Sequence, residues 1–591
     1  MRRRRARVIL LAATTAFAAS SVAPSDAAPG TTARASVTSS GTQANNATPA
    51  TSVPDTTSPE MSLDGRWIAF SSDATNLVSG DTNGVADIFL RDIATGVTTR
   101  VSVTSTKAQA NGASYSPSLS VDGRWLAFAS LATNLVSGDT NGVADIFLRD
   151  LKSGTTKRLS VSTVGTQADG PSNSPFVSLF GEYVTFESEA ANLAAGDTND
   201  TSDAFIRDVK AKKTARIAPP AIAEDLPLQE TIWTSHARIS YEGRYVAYHR
   251  GAKRPGLDTP TASDVFILDR ATGRSTQIAM GPWAGTAKVM SQNPVISADG
   301  RYVAFDAYSV ITERDTIANN DVLRPTRDII SADDSLVVNP FDPRDVMMYD
   351  RVNKSSQPLS SNPAGPVADG DSYDPRISAN GHVIAFSSDA TNLAAGDTNG
   401  TTDVFVRDLE ARVTSRVSVP GGFGESSGAS QRPSISYEGR HVVFASAGKD
   451  LVADDTNSTS DIFRRDRQTT TTNSAPKMVQ ISSALRGMDI AEEVNLTMRA
   501  TDADKDPLRF DVIVAVDRDA EGVPLQGTYS IDSKTGAFTW KPSPSQAGHH
   551  VDFIFWVQDP RGFSDFALAR YYVRDFQQTA RCRAQGHACY P

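Results

Sequence analysis

The chain has 591 residues, of which 39% are hydrophobic and 21% charged, with a net charge of −10. Both signs are scattered and the only basic run is Arg2–Arg5, which excludes the basic face that nucleic-acid binding needs. Two cysteines, Cys582 and Cys589, fall in the last ten residues and are too few and too late to frame the fold.

In chain order, Arg2–Arg5 and Arg7 precede a short apolar stretch, Val8–Ala19, and small residues at Ser25-Asp26-Ala27. This reads as a signal peptide over residues 1–28, so the sequence predicts a secreted or periplasmic protein. No later apolar run approaches the length of a membrane span, so none is expected after signal cleavage.

Next comes a repeat. Asp64-Gly65-Arg66-Trp67-Ile68-Ala69-Phe70 returns 58 residues later as Asp122-Gly123-Arg124-Trp125-Leu126-Ala127-Phe128. Weaker copies start at Gly181, Glu242, Asp299, Asn380 and Glu438, seven in all, and self-similarity at such a period signals stacked units that cannot bury their apolar faces alone. In the second copy, strands are predicted at Pro117–Ser120, Trp125–Ser130, Asp145–Asp150 and Thr156–Val161, with hairpin turns at Asp122-Gly123 and Ser153-Gly154. The third strand recurs as Asp87–Asp92, Asp145–Asp150, Asp203–Asp208, Asp264–Asp269, Asp345–Asp350, Asp403–Asp408 and Asp461–Asp466. Its mostly apolar interior needs cover on both faces. Four antiparallel strands per unit predict an all-β, seven-bladed β-propeller.

The seventh copy lacks a fourth strand. The N-terminal Arg34-Ala35-Ser36-Val37-Thr38 and Gln43-Ala44-Asn45 match Arg100-Val101-Ser102-Val103-Thr104 and Gln109-Ala110-Asn111. The N-terminal strand is therefore predicted to complete the seventh blade and close the ring. Connections between strands one and two, and three and four, are tight turns on one face. The others, such as Leu77–Ala86 and Lys107–Ser116, are long and polar on the opposite face, where an insertion at about Ser309–Pro343 also falls.

The pattern Pro-x-Ile/Leu-Ser-x-Asp-Gly-Arg-Tyr/Trp-Val/Ile-Ala-Phe, followed by Asp-Val/Ile-Phe-x-x-Asp, resembles the TolB-type, WD40-like propeller repeat over residues 31–467. No α/β domain precedes it, so the resemblance implies the fold and no Tol–Pal role. After a polar linker, 468–475, residues 476–576 resemble a cadherin-like, dystroglycan-type immunoglobulin-fold module. The carrying residues are Ala500-Thr501-Asp502-Ala503-Asp504-Lys505-Asp506-Pro507-Leu508, Thr535-Gly536-Ala537-Phe538-Thr539-Trp540 and Val557-Gln558-Asp559. The resemblance implies an immunoglobulin-like β-sandwich acting as spacer or adhesion element. A tail, 577–591, follows, in which Cys582 and Cys589 most simply close a small loop.

Five copies carry Asp-Thr-Asn-x-x-x-Asp in a long loop: Asp81, Asn83 and Asp87; Asp139, Asn141 and Asp145; Asp197, Asn199 and Asp203; Asp397, Asn399 and Asp403; Asp455, Asn457 and Asp461. Alternating acid and amide oxygens resemble the opening of a calcium loop. The competing and preferred reading is an Asx-turn that folds the loop on itself. Asp502, Asp504, Asp506 and Asp559 form a second calcium candidate. Gly424-Glu425-Ser426-Ser427-Gly428 matches a hydrolase elbow but lies in an interblade loop and is read as accidental. None of the seven histidines has a metal-ligand spacing, and His382 and His441 are read as replacing the Arg that follows Gly in other copies. Trp67, Trp125 and Tyr302 are read as core; Trp233 and Trp283 fall outside the repeat and are read as core, with exposed stacking residues as the alternative. With no catalytic constellation, the expected function is noncatalytic binding of a protein or cell-surface glycan by the long-loop face. The alternatives are a glycan lyase or hydrolase, and a calcium-dependent envelope or matrix component.

Overall fold

A computed structural model of the chain describes residues 30–48, 58–199, 201–217, 231–241, 243–253, 262–278, 288–311, 337–338, 343–360, 368–394, 396–421 and 424–467, and further on 476–479, 486–488, 492–503, 505, 507–516, 528–547, 550–558 and 564–573. The predicted signal segment, Trp283, most of the Ser309–Pro343 insertion, Cys582 and Cys589 lie outside the described residues. The chain divides into two compact units, with the boundary between Thr471 and Thr472.

The first unit consists of antiparallel sheets whose strands meander in sequence order. The first sheet contains Glu60–Met61, Trp67–Ser72, Asp87–Asp92 and Val97–Arg100, and the second contains Ser114–Leu119, Trp125–Ser130, Asp145–Asp150 and Thr155–Arg158. Sheets three to six begin at Ser172–Val177, Thr231–Ile239, Lys288–Ile296 and Ser372–Ile377. The seventh takes Ser430–Ile435, His441–Ser446 and Asp461–Asp466 from the end of the repeat and its fourth strand, Thr32–Arg34, from the start, paired Thr32 to Arg465 and Arg34 to Phe463. In the fifth sheet the second strand, Tyr302–Ile311, runs on to pair with Val337–Val338. This repetition of four-stranded antiparallel sheets is the architecture of a β-propeller. First strands begin about three residues earlier than the apolar pattern implies. Fourth strands end earlier, because Val161 leaves the ladder for an isolated bridge to Gln167.

Successive sheets pack face to face. Ala69, Ile88 and Leu90 of the first bury against Leu126, Phe128 and Phe147 of the second. Val443, Ala445 and Ile462 of the seventh bury against Met61, Ile68 and Phe70 of the first. Each of these sheets thus has both faces covered, and the Phe pairs that bind second to third strands, such as Phe70 with Phe89 at 6.0 Å, are fully buried.

The Asp-Gly-Arg-Trp string is explained residue by residue. Asp122 accepts the Ser120 hydroxyl and the Arg124 amide, which folds the turn. Arg124 grips Asp150 with two parallel hydrogen bonds, 3.1 and 2.9 Å, tying the turn to the end of the third strand, and stacks over Trp125. Trp125 lies beneath the turn of the next sheet, where a side chain on Gly181 would meet its ring at 2.5 Å. The same contact joins Trp67 to Gly123, Tyr183 to Gly243, Tyr245 to Gly300, Tyr302 to Gly381 and Val383 to Gly439. It returns to the start as His441 under Gly65. His441 is therefore the seventh copy's aromatic, and Arg440 is its Arg, paired with Asp466 at 2.7 Å. This corrects the reading of His441 as an Arg replacement. His382 does stand at the Arg position and pairs with Glu410 at 2.8 Å.

The second unit contains two larger sheets. One orders Arg486–Met488, Ser564–Val573, His550–Gln558 and Arg509–Val516; the other orders Val494–Thr497, Ala537–Lys541 and Thr528–Ile531. Phe538 and Trp540 of the second sheet pack edge-on against Phe553, and Phe538 also against Phe555, of the first, forming one aromatic core.

Two predictions follow from the turns. Gly123→Ala should cost about 2–4 kcal/mol, from a left-handed φ of 66° plus overpacking on Trp67, whereas Gly138→Ala, with φ 73° and open space, should cost only about 1 kcal/mol. Denaturant melts of the two variants check this. Glu438 replaces the turn Asp, its Oε2 has no hydrogen-bond partner, and burial raises its pKa to about 8. The folded protein thus holds this proton where the unfolded chain, near pH 4.5, has released it, so stability is lost as pH rises toward 8. Glu438→Gln should show a gain over the parent at pH 8 that vanishes toward pH 4.5.

Candidate functional site: the long-loop face and the inner strands

The Asp-Thr-Asn loops lie at the end opposite the tight turns. The spacing brings its residues together, and the cation among them is arginine. Arg100, on the fourth strand of the first sheet, lies 3.2 Å from Asp81 and 3.4 Å from Asp87. Gln109, from the following long loop, donates to both carboxylates and accepts from the Thr82 amide and hydroxyl. Asn83 donates to Asp87 and to the Ala110 carbonyl, while its own oxygen accepts the Val85 amide, an Asx-turn. The Ser102 hydroxyl donates to the other oxygen of Asp87 and accepts the Ile88 amide.

This latch repeats. Arg158 holds Asp139 and Asp145, with Asn141 and Gln167 in place. Arg216 holds Asp197 and Asp203, with Asn199 bonded to Asp203. Arg416 holds Asp397 and Asp403 beside Asn399, with Glu425 standing where the other loops have Gln. There burial, only partly offset by Arg416 and reinforced by Asp403 and Glu425, raises the Asp397 pKa to about 6. In the seventh sheet, Asp455, Asn457 and Asp461 are met by Arg34, Ser36 and Gln43 from the N-terminal segment. Calcium takes about six to eight oxygens, and here the carboxylates already face a guanidinium and the Asn oxygen already accepts an amide. In this arrangement the carboxylates are paired with arginine. Of the second candidate, Asp504, Asp506 and Asp559 lie outside the described residues, leaving Asp502 alone in view. Ser426, from the elbow-like string, is buried and turned onto the Gly428 carbonyl within a loop.

The inner strands carry features that the repeat alone does not announce. Ser116, Ser174, His236, Asn293, Asp374 and Arg432 each hold a left-handed φ of 50–58° at a break in register. Such bulges re-aim side chains, and non-glycine strain of this kind clusters at functional sites. Across from them, on the second strands, Ser71, Ala129, Ser387 and Ala445 stand in sheets one, two, six and seven, and the ionisable Glu187, His249 and Asp306 in sheets three to five. Glu187 accepts the His236 amide at 2.8 Å and Ser387 the Arg432 amide at 3.1 Å, each bracing the next sheet's bulge. Arg376 of the sixth sheet donates to Ser58, which enters the first, at 3.1 Å. Burial raises the pKa of Glu60, which Arg376 and Arg238 pull back. Residues of non-adjacent sheets therefore meet along a central axis.

The fourth sheet, like the fifth, departs from the six-residue pattern, with nine-residue first and second strands. The Ser263 hydroxyl donates to the Ser291 carbonyl, so it accepts from His249 Nε2, and His249 Nδ1 in turn accepts from Ser235 at 2.9 Å. Trp233 meets His249 edge-on and lies over Gly251, where any side chain would collide with the indole. A hydroxyl on an oriented imidazole resembles a nucleophile and its base. Burial, helped by His236, lowers the His249 pKa to about 3, which makes it a weak base, and Ser235, His249 and Ser263 are all buried.

The sequence matches no family model and no curated protein. Among solved structures it is similar to a protein assigned as TolB from Agrobacterium tumefaciens, at 13% identity over 62% of this chain and 93% of that one, with a TM-score of 0.30. It is also similar to dipeptidyl peptidase 4 of Porphyromonas gingivalis, at 10% identity over 68% and 58%, TM-score 0.34. The WD40 repeats of RRP9 match at 9% identity over 71% and 98%, TM-score 0.32.

Arg100→Gln should destabilise the first unit by about 3 kcal/mol, because it strands two buried carboxylates. The same protein should melt at one temperature in calcium and in chelator. A rise of several degrees in calcium would put an ion in these loops, since a native-state ligand stabilises by mass action.

Proposed function

We propose that the chain is an exported, seven-bladed propeller, closed by its N-terminal strand and followed by an immunoglobulin-like spacer, that binds a protein or cell-surface glycan without catalysis. The observation that carries this reading is the asymmetry of the two ends. At the tight-turn end, Asp and Arg are engaged in folding the turn and tying it to its own third strand, and the aromatic and Gly in joining neighbouring sheets. At the other end the repeat is broken, with ionisable residues replacing Ser and Ala on the inner strands, longer strands in sheets four and five, and an insertion after Tyr308. Loops on a rigid scaffold are where recognition is most often built. Noncatalysis is supported by the one nucleophile-like arrangement described, Ser235 on His249, being buried around a weak base.

The test replaces residues 312–336 with a short Gly-Ser linker, leaving the latch residues and the paired strands in place, and measures retention of purified envelope polysaccharide and of surface-protein extract. Capture should fall at least tenfold with melting unchanged. Undiminished capture would remove the long-loop face from the function. Turnover of polysaccharide, with or without divalent metal, would replace binding by catalysis.

A further inference from the structure

Asp306 differs from the residues at the same place in the other sheets. It lies on the second strand of sheet five, its side chain is 0% exposed, and its Oδ2 accepts Asn293 Nδ2 at 2.7 Å. Its Oδ1 has no hydrogen-bond partner. Glu187 and Ser387, at the same place in sheets three and six, each close onto the amide of the next bulge. Asp306 instead has the Asp374 carboxylate, from the next bulge, among its electrostatic neighbours, with Arg344 and Arg376 as the others. Arg376 donates to Ser58 and to the Pro375 carbonyl, while Arg344 stacks over Tyr308 at 5.3 Å with its Nε buried and without a hydrogen-bond partner. Asn293, Asp374, Arg344 and Tyr308 are partly exposed, whereas Asp306 beside them is fully buried. A buried carboxylate with an open oxygen beside a second carboxylate destabilises the empty protein.

We propose that Asp306, Asp374 and Asn293 form a capture site for the primary ammonium group of a ligand. An ammonium carries three donors and no acceptor. Asp306 Oδ1, the Asp374 carboxylate and the Asn293 side-chain oxygen supply a matching set of acceptors. Calcium would need about six to eight oxygens, more than these residues offer. An anion would meet two carboxylates. The left-handed backbone at Asn293 and Asp374, φ 52° and 53°, sets both side chains apart from the regular ladder. The site rests on the inner strands alone and goes beyond the loop-face reading, which can fail without it.

Burial, and next Asp374, hold the Asp306 carboxyl protonated well above its usual range, with Asn293, Arg344 and Arg376 opposing. Ammonium binding therefore releases this proton, and capture weakens on acidification.

The test is calorimetric titration of the full chain at pH 7.5 with D-glucosamine and with L-lysinamide, each against its fully N-acetylated form. At least one amine should bind about tenfold or more tightly than its acetylated form, and which one does so identifies a sugar or a peptide source. Asp306→Asn and the partly exposed Asp374→Asn should each weaken that binding about tenfold, with Asp306→Asn melting no lower than the parent. Binding of neither amine, equal binding of the acetylated forms, insensitivity to both substitutions, or calcium binding at Asp306 that amines do not displace would each overturn the proposal.

Discussion

The contact on which the first unit depends is an aromatic ring seated under the glycine of the next turn. It is short-range and directional: Trp67 under Gly123, Trp125 under Gly181, Tyr302 under Gly381. Only glycine leaves room for the ring, and only glycine accepts the turn's left-handed backbone without strain. The arginine between them serves both partners, stacking on the ring and gripping the aspartate that ends the third strand. Each sheet is therefore defined by its neighbour as much as by its own hydrogen bonds. The seventh sheet, with His441 under Gly65, returns the contact to the first.

Closure is made at two radii. Near the axis, turn amides bond across sheets, with Tyr437 donating to the Leu63 carbonyl and Leu63 to that of Val121. Further out, the N-terminal segment inserts Arg34, Ser36 and Gln43 into a latch whose acids lie more than 400 residues away. A strand and a set of ion pairs thus form in one event, and the open edge of the seventh sheet is covered.

The latches show how buried charge is handled here. Two carboxylates per loop would repel one another in a low-dielectric site, and one guanidinium bridging both, with a glutamine donating to each, satisfies them. The inner strands of sheets five and six break this economy. There Arg376 donates to Ser58, and one carboxylate oxygen of Asp306 is left without a hydrogen-bond partner. That contrast, within one molecule built from one repeat, is what separates scaffold from site.

The sequence by itself determined the repeat, the sheet pattern and the partner of the seventh sheet, because each rests on local signals: alternation, turn glycines and a matching string. It also brought out every residue of the five acidic loops. It did not identify their cation, because Arg100 and Gln109 come from the next strand and loop and carry no signal of where they point. It aligned His441 with an arginine, because a histidine can stand for either neighbour until the packing under Gly65 is seen. Asp306 passed unremarked, since one acid on a strand has no period and no motif. Its character depends on burial and on what the adjoining sheet brings to it, and only the tertiary structure decides those.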